Sequence, residues 1–161
     1  PSHSNLRSLS RNISINNLVD KIEIIPLPLS EAPNEISTMK ESMFMEGGSF
    51  NSFKQDYMHN TKKHDWENSY KVLSSSIDFF IDNKILSIPD YIKIDVDGIE
   101  HLILGGGRNC LKNEKIKSIL IEVCTDFKEQ YDQVFKIMDD TGFKTDKRTS
   151  EYTTSNFIFY R

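Results

Sequence analysis

The sequence predicts an α/β fold in one domain over residues 1–161, with a mainly parallel sheet and an antiparallel last strand. First, strand-like apolar runs alternate with helical patterns along most of the chain. Second, the runs at 91–96 and 118–123 are almost continuously apolar, which is typical of strands covered on both faces. Third, the connection between the last two strand-like runs, near 143–148 and 156–161, is too short for a crossover helix.

Length and composition set bounds on the class of protein. With 161 residues, of which 37% are hydrophobic, the chain can bury one core. With 24 acidic and 20 basic residues, it does not suggest a nucleic-acid partner. No apolar run approaches the roughly 20 residues of a membrane-spanning helix, so we expect no membrane span. Cys110 and Cys124 lack metal-ligand spacing, and a reducing, cytoplasmic setting fits them best.

The chain is predicted to begin with an amphipathic helix. Leu6, Leu9 and Ile13 fall on one helical face. Ser2 or Ser4 is available as the N-cap, because a hydroxyl there can accept a backbone N–H bond.

A strand and a long polar insertion are predicted to follow. The run 22–29 is strand-like, but Pro26 and Pro28 cannot donate to a ladder, which favours a sheet edge. From about 31 to 71 the sequence is polar and irregular. A stretch of this length inside a domain is typical of a functional lid or a disordered insertion.

The second half of the chain carries clearer helical signals. An apolar stripe beginning at Ile77 predicts a helix that ends before Pro89, with Ser75 and Asp78 at near-capping-box spacing. Residues 99–104 predict a short helix. A longer helix over 127–138 is predicted to stop at Gly142.

The glycines at 105–107 follow a helix instead of a strand, so they do not form a phosphate-binding loop. They indicate a helix C-terminus, where a positive φ is easily adopted.

The polar residues around the strand 91–96 are the main candidates for chemistry. Asp95 lies at the carboxyl end of this strand, where open α/β sheets bind ligands. Its carboxylate could orient an acceptor hydroxyl, bond to a cofactor amino group or remove a proton. Lys93 alternates onto the same strand face, and Glu122 ends the neighbouring strand. For Lys93, a salt bridge to Asp95 or Glu122 is the structural alternative.

Asp97 and Glu100 have two interpretations of equal weight. Their spacing is that of a capping box for the next helix, and both are also placed for direct chemistry. Gly98 between them permits a tight turn.

One family shares this pattern. Residues 93–107 read Lys-Ile-Asp-Val-Asp-Gly-x-Glu and then Leu-x-Leu-x-Gly-Gly, which resembles the signature of the FkbM-type methyltransferases, users of S-adenosylmethionine. Residues 5–17 resemble the family's segment after its second strand, and residues 121–123 resemble its fifth strand. The resemblance implies a Rossmann-like class I methyltransferase sheet.

The resemblance also implies that the N-terminal strands are missing from this chain. The family has a glycine-rich loop and a strand ending in a ribose-binding acid before the position that Pro1 resembles. Residues 1–161 would then be the C-terminal portion of the domain and would bind S-adenosylmethionine poorly by themselves. We expect the strand 22–29 to pair with 91–96, or the chain to associate through that edge, for example as a homo-oligomer.

The implied activity is S-adenosylmethionine-dependent O-methylation of a small-molecule or glycan acceptor, a sugar or another hydroxyl-bearing metabolite. The catalytic candidates for this activity are the four charged residues at the sheet edge: Lys93, Asp95, Asp97 and Glu122. The resemblance implies three contacts to the cofactor: Asn5, Ser30 and Asp95.

Three histidines and a metal site are further candidates for chemistry. His59 and His64 lie in the polar insertion, where a solvated loop histidine is the favoured interpretation over a catalytic base. His101 lies in the first turn after Gly98 and could face either way. The carboxylates at the sheet edge could also hold magnesium, but nothing in the sequence requires a metal.

Two other functions compete with the methyltransferase. The first is a non-catalytic remnant or partner-binding module that lacks the cofactor half. The second, a nicotinamide-dependent oxidoreductase, is weaker because the sequence carries no dinucleotide fingerprint. A glycine-rich strand–loop–helix encoded upstream of Pro1 would favour the enzyme over the remnant.

Overall fold

The computed structural model of the chain describes residues 2–43, 45–49, 51–56, 65–145 and 154–161. Within them the helices are α1 (His3–Ile15), α2 (Ile77–Asp82), α3 (Glu100–Gly105), α4 (Arg108–Leu111) and α5 (Lys128–Asp140). The strands are β1 (Ile36–Glu41), β2 (Ser52–Phe53), β3 (Asn68–Leu73), β4 (Tyr91–Ile94), β5 (Ser118–Cys124), β6 (Lys144–Thr145) and β7 (Thr154–Tyr160). The predicted α/β class is confirmed.

A four-stranded sheet in the order β4–β5–β7–β6 forms the centre of the C-terminal half. β4 and β5 are parallel because α3 and α4 form the crossover between them, whereas β7 is antiparallel to both β5 and β6. The antiparallel last strand is therefore confirmed. Since β5 and β6 both run antiparallel to β7, the strands β4, β5 and β6 share one direction, in agreement with the predicted mainly parallel sheet.

The predicted polar insertion contains a second sheet. β1 pairs with both β2 and β3 in an antiparallel three-stranded sheet. One face of this sheet packs on the core through Met39 and Phe53, with Tyr70 and Val72 partly buried beside them. The prediction of an irregular segment over the whole of 31–71 is therefore wrong for the described residues, and residues 57–64 lie outside them.

The predicted edge strand at 22–29 does not form. Leu29 alone makes a bridge, a parallel one to Ser75. Pro26 and Pro28 remove two backbone donors from this short segment, which leaves too few for a ladder. The expected pairing of 22–29 with 91–96 is therefore wrong.

The main core lies between the four-stranded sheet and the helices that pack on it. The buried positions of β5 alternate, as the two-residue period of a strand requires: Ile119, Ile121 and Val123. They pack with buried residues of α3 and α5, including Leu104, Val134 and Met138. None of the helices in the described ranges is long and apolar enough to span a membrane.

The helix boundaries confirm some predicted caps and correct others. Ser2 caps α1 as predicted, since its hydroxyl accepts from the N–H of Asn5 at 3.3 Å. Ser76 caps α2 instead of Ser75. Asp78 instead accepts the backbone N–H of Cys110 at 2.7 Å, across to α4.

The predicted capping box at Asp97 and Glu100 is wrong. The residue before α3 is Ile99, and no side-chain hydrogen bond caps this helix. Glu100 is therefore the first residue of the helix and not its third, so its carboxyl lies beneath the preceding turn.

Close packing explains the glycines after α3, and the predicted positive φ is wrong there. Gly106 has a φ of −79° and Gly107 a φ of −122°, which any residue can adopt. A Cβ on Gly106 would overlap the carbonyl oxygen of Ser30, and one on Gly107 would lie 3.0 Å from Ile77. Gly106 allows the end of α3 to touch the segment around Ser30, and Gly107 allows the chain to pass close to Ile77 of α2.

Candidate functional site

The turn between β4 and α3 carries the two aspartates that the sequence singled out. Gly98 has a φ of +109°, a conformation that side chains rarely tolerate, and its N–H donates to the carbonyl of Val96 at 3.0 Å. The chain therefore reverses sharply after β4 and enters α3 within a few residues. Asp95 and Asp97 lie on this turn, at the carboxyl end of the strand.

A cavity of about 380 Å³ opens beside this turn. Its walls come from α1, the segment before Ser30, the β1–β2 hairpin, the β4–α3 turn and α3. Its polar lining residues are Ser2, Asn5, Ser49, Asn51, Asp95 and Asp97. Its apolar lining residues include Leu6, Leu9, Leu29, Met39, Phe53, Ile99 and Ile103. The cavity thus combines an apolar wall with two carboxylates at one end.

Lys93, Asp95 and Glu122 form one charged cluster, as expected from strand alternation. Lys93 Nζ lies 2.6 Å from Asp95 Oδ2. Hydrogen bonds from Lys93 and then from Glu122 hold the pKa of Asp95 below its usual range, although partial burial acts in the opposite direction. The pKa of Lys93 is raised by the same contact with Asp95. Asp95 is therefore ionised at neutral pH, and it alone of the three also lines the cavity.

The two other predicted cofactor contacts are placed differently. Asn5 lines the cavity and also holds the β1–β2 hairpin. Its Oδ1 accepts the N–H of Gly47 at 2.8 Å, and its Nδ2 donates to the carbonyl of Gly48 at 2.8 Å. Ser30 is fully buried outside the cavity lining, although its neighbours Pro28 and Leu29 belong to that lining.

The hairpin residues that line the cavity were not among those predicted from the sequence. Ser49 and Asn51 follow the turn at Gly47, whose φ of +79° reverses the chain between β1 and β2. The Gly-Gly-Ser sequence was the signal for a turn. Its place against α1 depends on contacts distant in sequence, which no local pattern contains.

The histidines do not join this site among the described residues. His101 is buried, outside the cavity lining, with its ring edge-to-face with Phe127 at 6.3 Å. Burial lowers the pKa of His101. His59 and His64 lie outside the described residues.

A metal site also lacks support in the ranges that the structure describes. They contain no group of three or more His, Cys, Asp or Glu side chains arranged to hold a metal ion.

The geometry agrees with comparisons to known proteins. Residues 1–145 match the Methyltransferase FkbM domain. Among solved structures, methyltransferase FkbM from Methylobacillus flagellatus KT has a similar fold, with a TM-score of 0.60 and 14% sequence identity. The match covers 100% of this chain and 35% of that protein, so the chain spans about a third of its length. No curated protein matches significantly. Because the family match extends over most of the sequence, the chain belongs to the FkbM methyltransferase family.

Proposed function

We propose that this chain is part of an S-adenosylmethionine-dependent O-methyltransferase that acts on a hydroxyl of a sugar or another small metabolite. The observation that carries the proposal is the cavity at the carboxyl end of β4, with Asp95 and Asp97 in its wall. In α/β sheets this edge is where ligands bind. Membership of a methyltransferase family supports methyl transfer as the reaction.

The cavity fits the chemistry of this cofactor. Its volume of about 380 Å³ falls in the range of about 300–1,000 Å³ that is usual for small-molecule sites. Apolar side chains such as Leu6 and Leu9 suit a flat aromatic ring, and the carboxylates of Asp95 and Asp97 suit cationic groups. When bound, S-adenosylmethionine would supply the methyl group.

Asp95 is best suited to hold and orient the acceptor hydroxyl. A carboxylate with a lowered pKa is a weak base but a good hydrogen-bond acceptor, so orientation is favoured over full proton removal. Lys93 keeps this carboxylate charged through its 2.6 Å contact. Glu122, on the neighbouring strand, shares a hydrogen bond with Asp95 that also lowers its pKa. Asp97 contributes a second carboxylate to the same wall.

The experiment is a methyl-transfer assay of the full-length protein with labelled S-adenosylmethionine and a panel of glycans and hydroxyl metabolites. With an accepted substrate, Asp95→Asn should lower the rate by about 10²–10⁴-fold, because an amide lacks the charge that orients the hydroxyl. Asp90→Asn is the matched control, because Asp90 lies at the other end of β4 with Lys115 and Lys117. Wild-type turnover by folded Asp95→Asn would remove Asp95 from the site.

A second candidate function is a partner-binding module, and the open edge of β4 supports it. Within the described residues β4 pairs only with β5, which leaves its other edge with free backbone groups. Such an edge accepts a strand from another segment or chain. Methyl transfer to no member of the panel, together with tight strand-mediated association, would favour this candidate.

A further inference from the structure

Glu100 lies directly beneath the turn that carries Asp95 and Asp97, and it is enclosed in the core with 1% of its surface exposed. Its Oε1 accepts the N–H of Gly98 at 3.4 Å. The backbone groups of Val96 and of Glu100 itself also stabilise the carboxylate. The turn is therefore bonded from below by a single carboxyl group.

The same carboxyl is tied to α5 and to the end of β5. Gln130 Nε2 donates to Glu100 Oε2, and Gln130 Oε1 accepts the N–H of Cys124 at 3.2 Å. Gln130 is also 1% exposed. The N–H of Cys124 fixes the orientation of the Gln130 amide, so its NH₂ group must face Glu100. The result is a buried chain of hydrogen bonds from the β4–α3 turn to β5.

Burying a carboxyl group costs free energy unless the group is hydrogen-bonded or paired, because desolvation disfavours its charged form. Burial raises the pKa of Glu100 to about 8, against the opposite effect of the backbone hydrogen bonds. Asp97 is the charged side chain that acts on it, and it raises the pKa further. From α5 it meets a neutral partner, Gln130, whose own partner is the backbone N–H of Cys124.

We propose that Glu100 is the positioning residue of this site. Its carboxyl holds the β4–α3 turn and, through Gln130, fixes that turn against β5, so that Asp95 and Asp97 face the cavity together. The proposal rests on the proposed function for its catalytic consequence, but not for its structural part. It assigns no contact between Glu100 and a substrate, since Glu100 does not line the cavity.

The structural part is tested by NMR titration of the purified protein between pH 5 and 10. In the wild type, the amide shifts of Val96 and Gly98 should follow one step with a midpoint near 8. Glu100→Gln should abolish this step, because the amide does not titrate. It should also change the chemical shift of the Asp95 carboxyl carbon, since the new NH₂ group would face the N–H donors of the turn or of Gln130 and displace the turn. Amide shifts of Val96 and Gly98 that are the same in Glu100→Gln as in the wild type would overturn the proposal.

The catalytic part is tested with the same variants in the methyl-transfer assay. Glu100→Gln and Gln130→Leu should each lower kcat by about 10–10²-fold with a smaller effect on KM, since displaced groups position the reactants poorly. Thr141→Val is the matched control, because it removes another buried hydrogen bond of α5, from Thr141 Oγ1 to Ile137.

Three outcomes separate the two proposals. Equal losses in Glu100→Gln and Thr141→Val would show a merely structural role and overturn the inference. Wild-type kcat in a folded Glu100→Gln would also overturn it. A wild type without methyl transfer would contradict the proposed function, while the NMR titration would still decide whether Glu100 holds the turn.

Discussion

Two glutamates, each only 1% exposed, respond oppositely to burial. Burial raises the pKa of Glu100 to about 8. At Glu41 burial also acts upward, but hydrogen bonds from Ser2, Asn68 and Tyr70 and the nearby His3 outweigh it, and the pKa is lowered. Side-chain donors therefore make Glu41 a stable buried anion. Glu100, with mainly backbone and amide donors, is not stabilised to that degree.

Glu41 should accordingly support the fold above acidic pH. Because its pKa is lower in the folded state than its usual 4.5, its contribution is present above pH 4.5 and is lost as the pH falls below that value. Glu41→Gln should lower the free energy of unfolding by about 1–3 kcal/mol at pH 7. It should also make that free energy less dependent on pH below 4.5. Urea denaturation between pH 3 and 7 measures both effects. Exposed Glu114→Gln is the control, and an unchanged acid slope in Glu41→Gln would contradict the assignment.

At the level of elements, strong apolar patterns predicted structure well and weak ones did not. The helices around Ile13 and Val134 and the strand at Ile121 were predicted because their apolar periods are clear. β3 was missed because its alternation, with Tyr70 and Val72 inward, is hidden by polar neighbours. The prediction of a strand at 22–29 was wrong because its two prolines lack the backbone N–H groups that a ladder needs, in spite of its β-branched residues.

Part of the candidate site was likewise predictable from the sequence, and part was not. The cluster of Lys93, Asp95 and Glu122 was expected from the sequence. The two-residue period of a strand places Lys93 and Asp95 on one face, and Glu122 ends the neighbouring strand. Ser49 and Asn51 could not be expected in the cavity, because tertiary contacts place their hairpin there.

The β1–β2 hairpin should depend on a single side chain of α1. Asn5→Ala removes the side-chain bonds to the N–H of Gly47 and to the carbonyl of Gly48, so hydrogen exchange at the Gly47 amide should accelerate several-fold. Weaker cofactor binding should accompany this change, since the hairpin lines the cavity. Asn12→Ala, an exposed asparagine on the same helix, is the control. Lost cofactor binding with unchanged exchange would instead indicate that Asn5 contacts the cofactor directly.

For the whole molecule, one face of the four-stranded sheet is exposed. The strand register aligns Tyr91 with Ser118 and Tyr160, and Lys93 with Leu120 and Ile158. Tyr91 is 65% exposed, Ile158 50% and Tyr160 37%. Apolar side chains in a row beside an open strand edge are typical of a surface that associates.

We therefore expect the 161-residue chain to self-associate as its concentration rises. The double substitution Tyr91→Lys and Ile158→Lys should reduce association by placing charges on the exposed face. Sedimentation velocity over a range of concentrations measures the change. Ile15→Lys, at a 67% exposed position on α1, is the control. A chain that stays monomeric throughout would contradict this expectation.

Gly106 is a position where almost any substitution should disturb the fold. A side chain there would push the carbonyl of Ser30 away and displace the segment that leads to Leu29 in the cavity wall. An allele that replaces this glycine would thus damage the pocket from behind, without altering any residue that lines it. Under the proposed function, its carrier would lack methyl transfer although every residue that lines the cavity is unchanged.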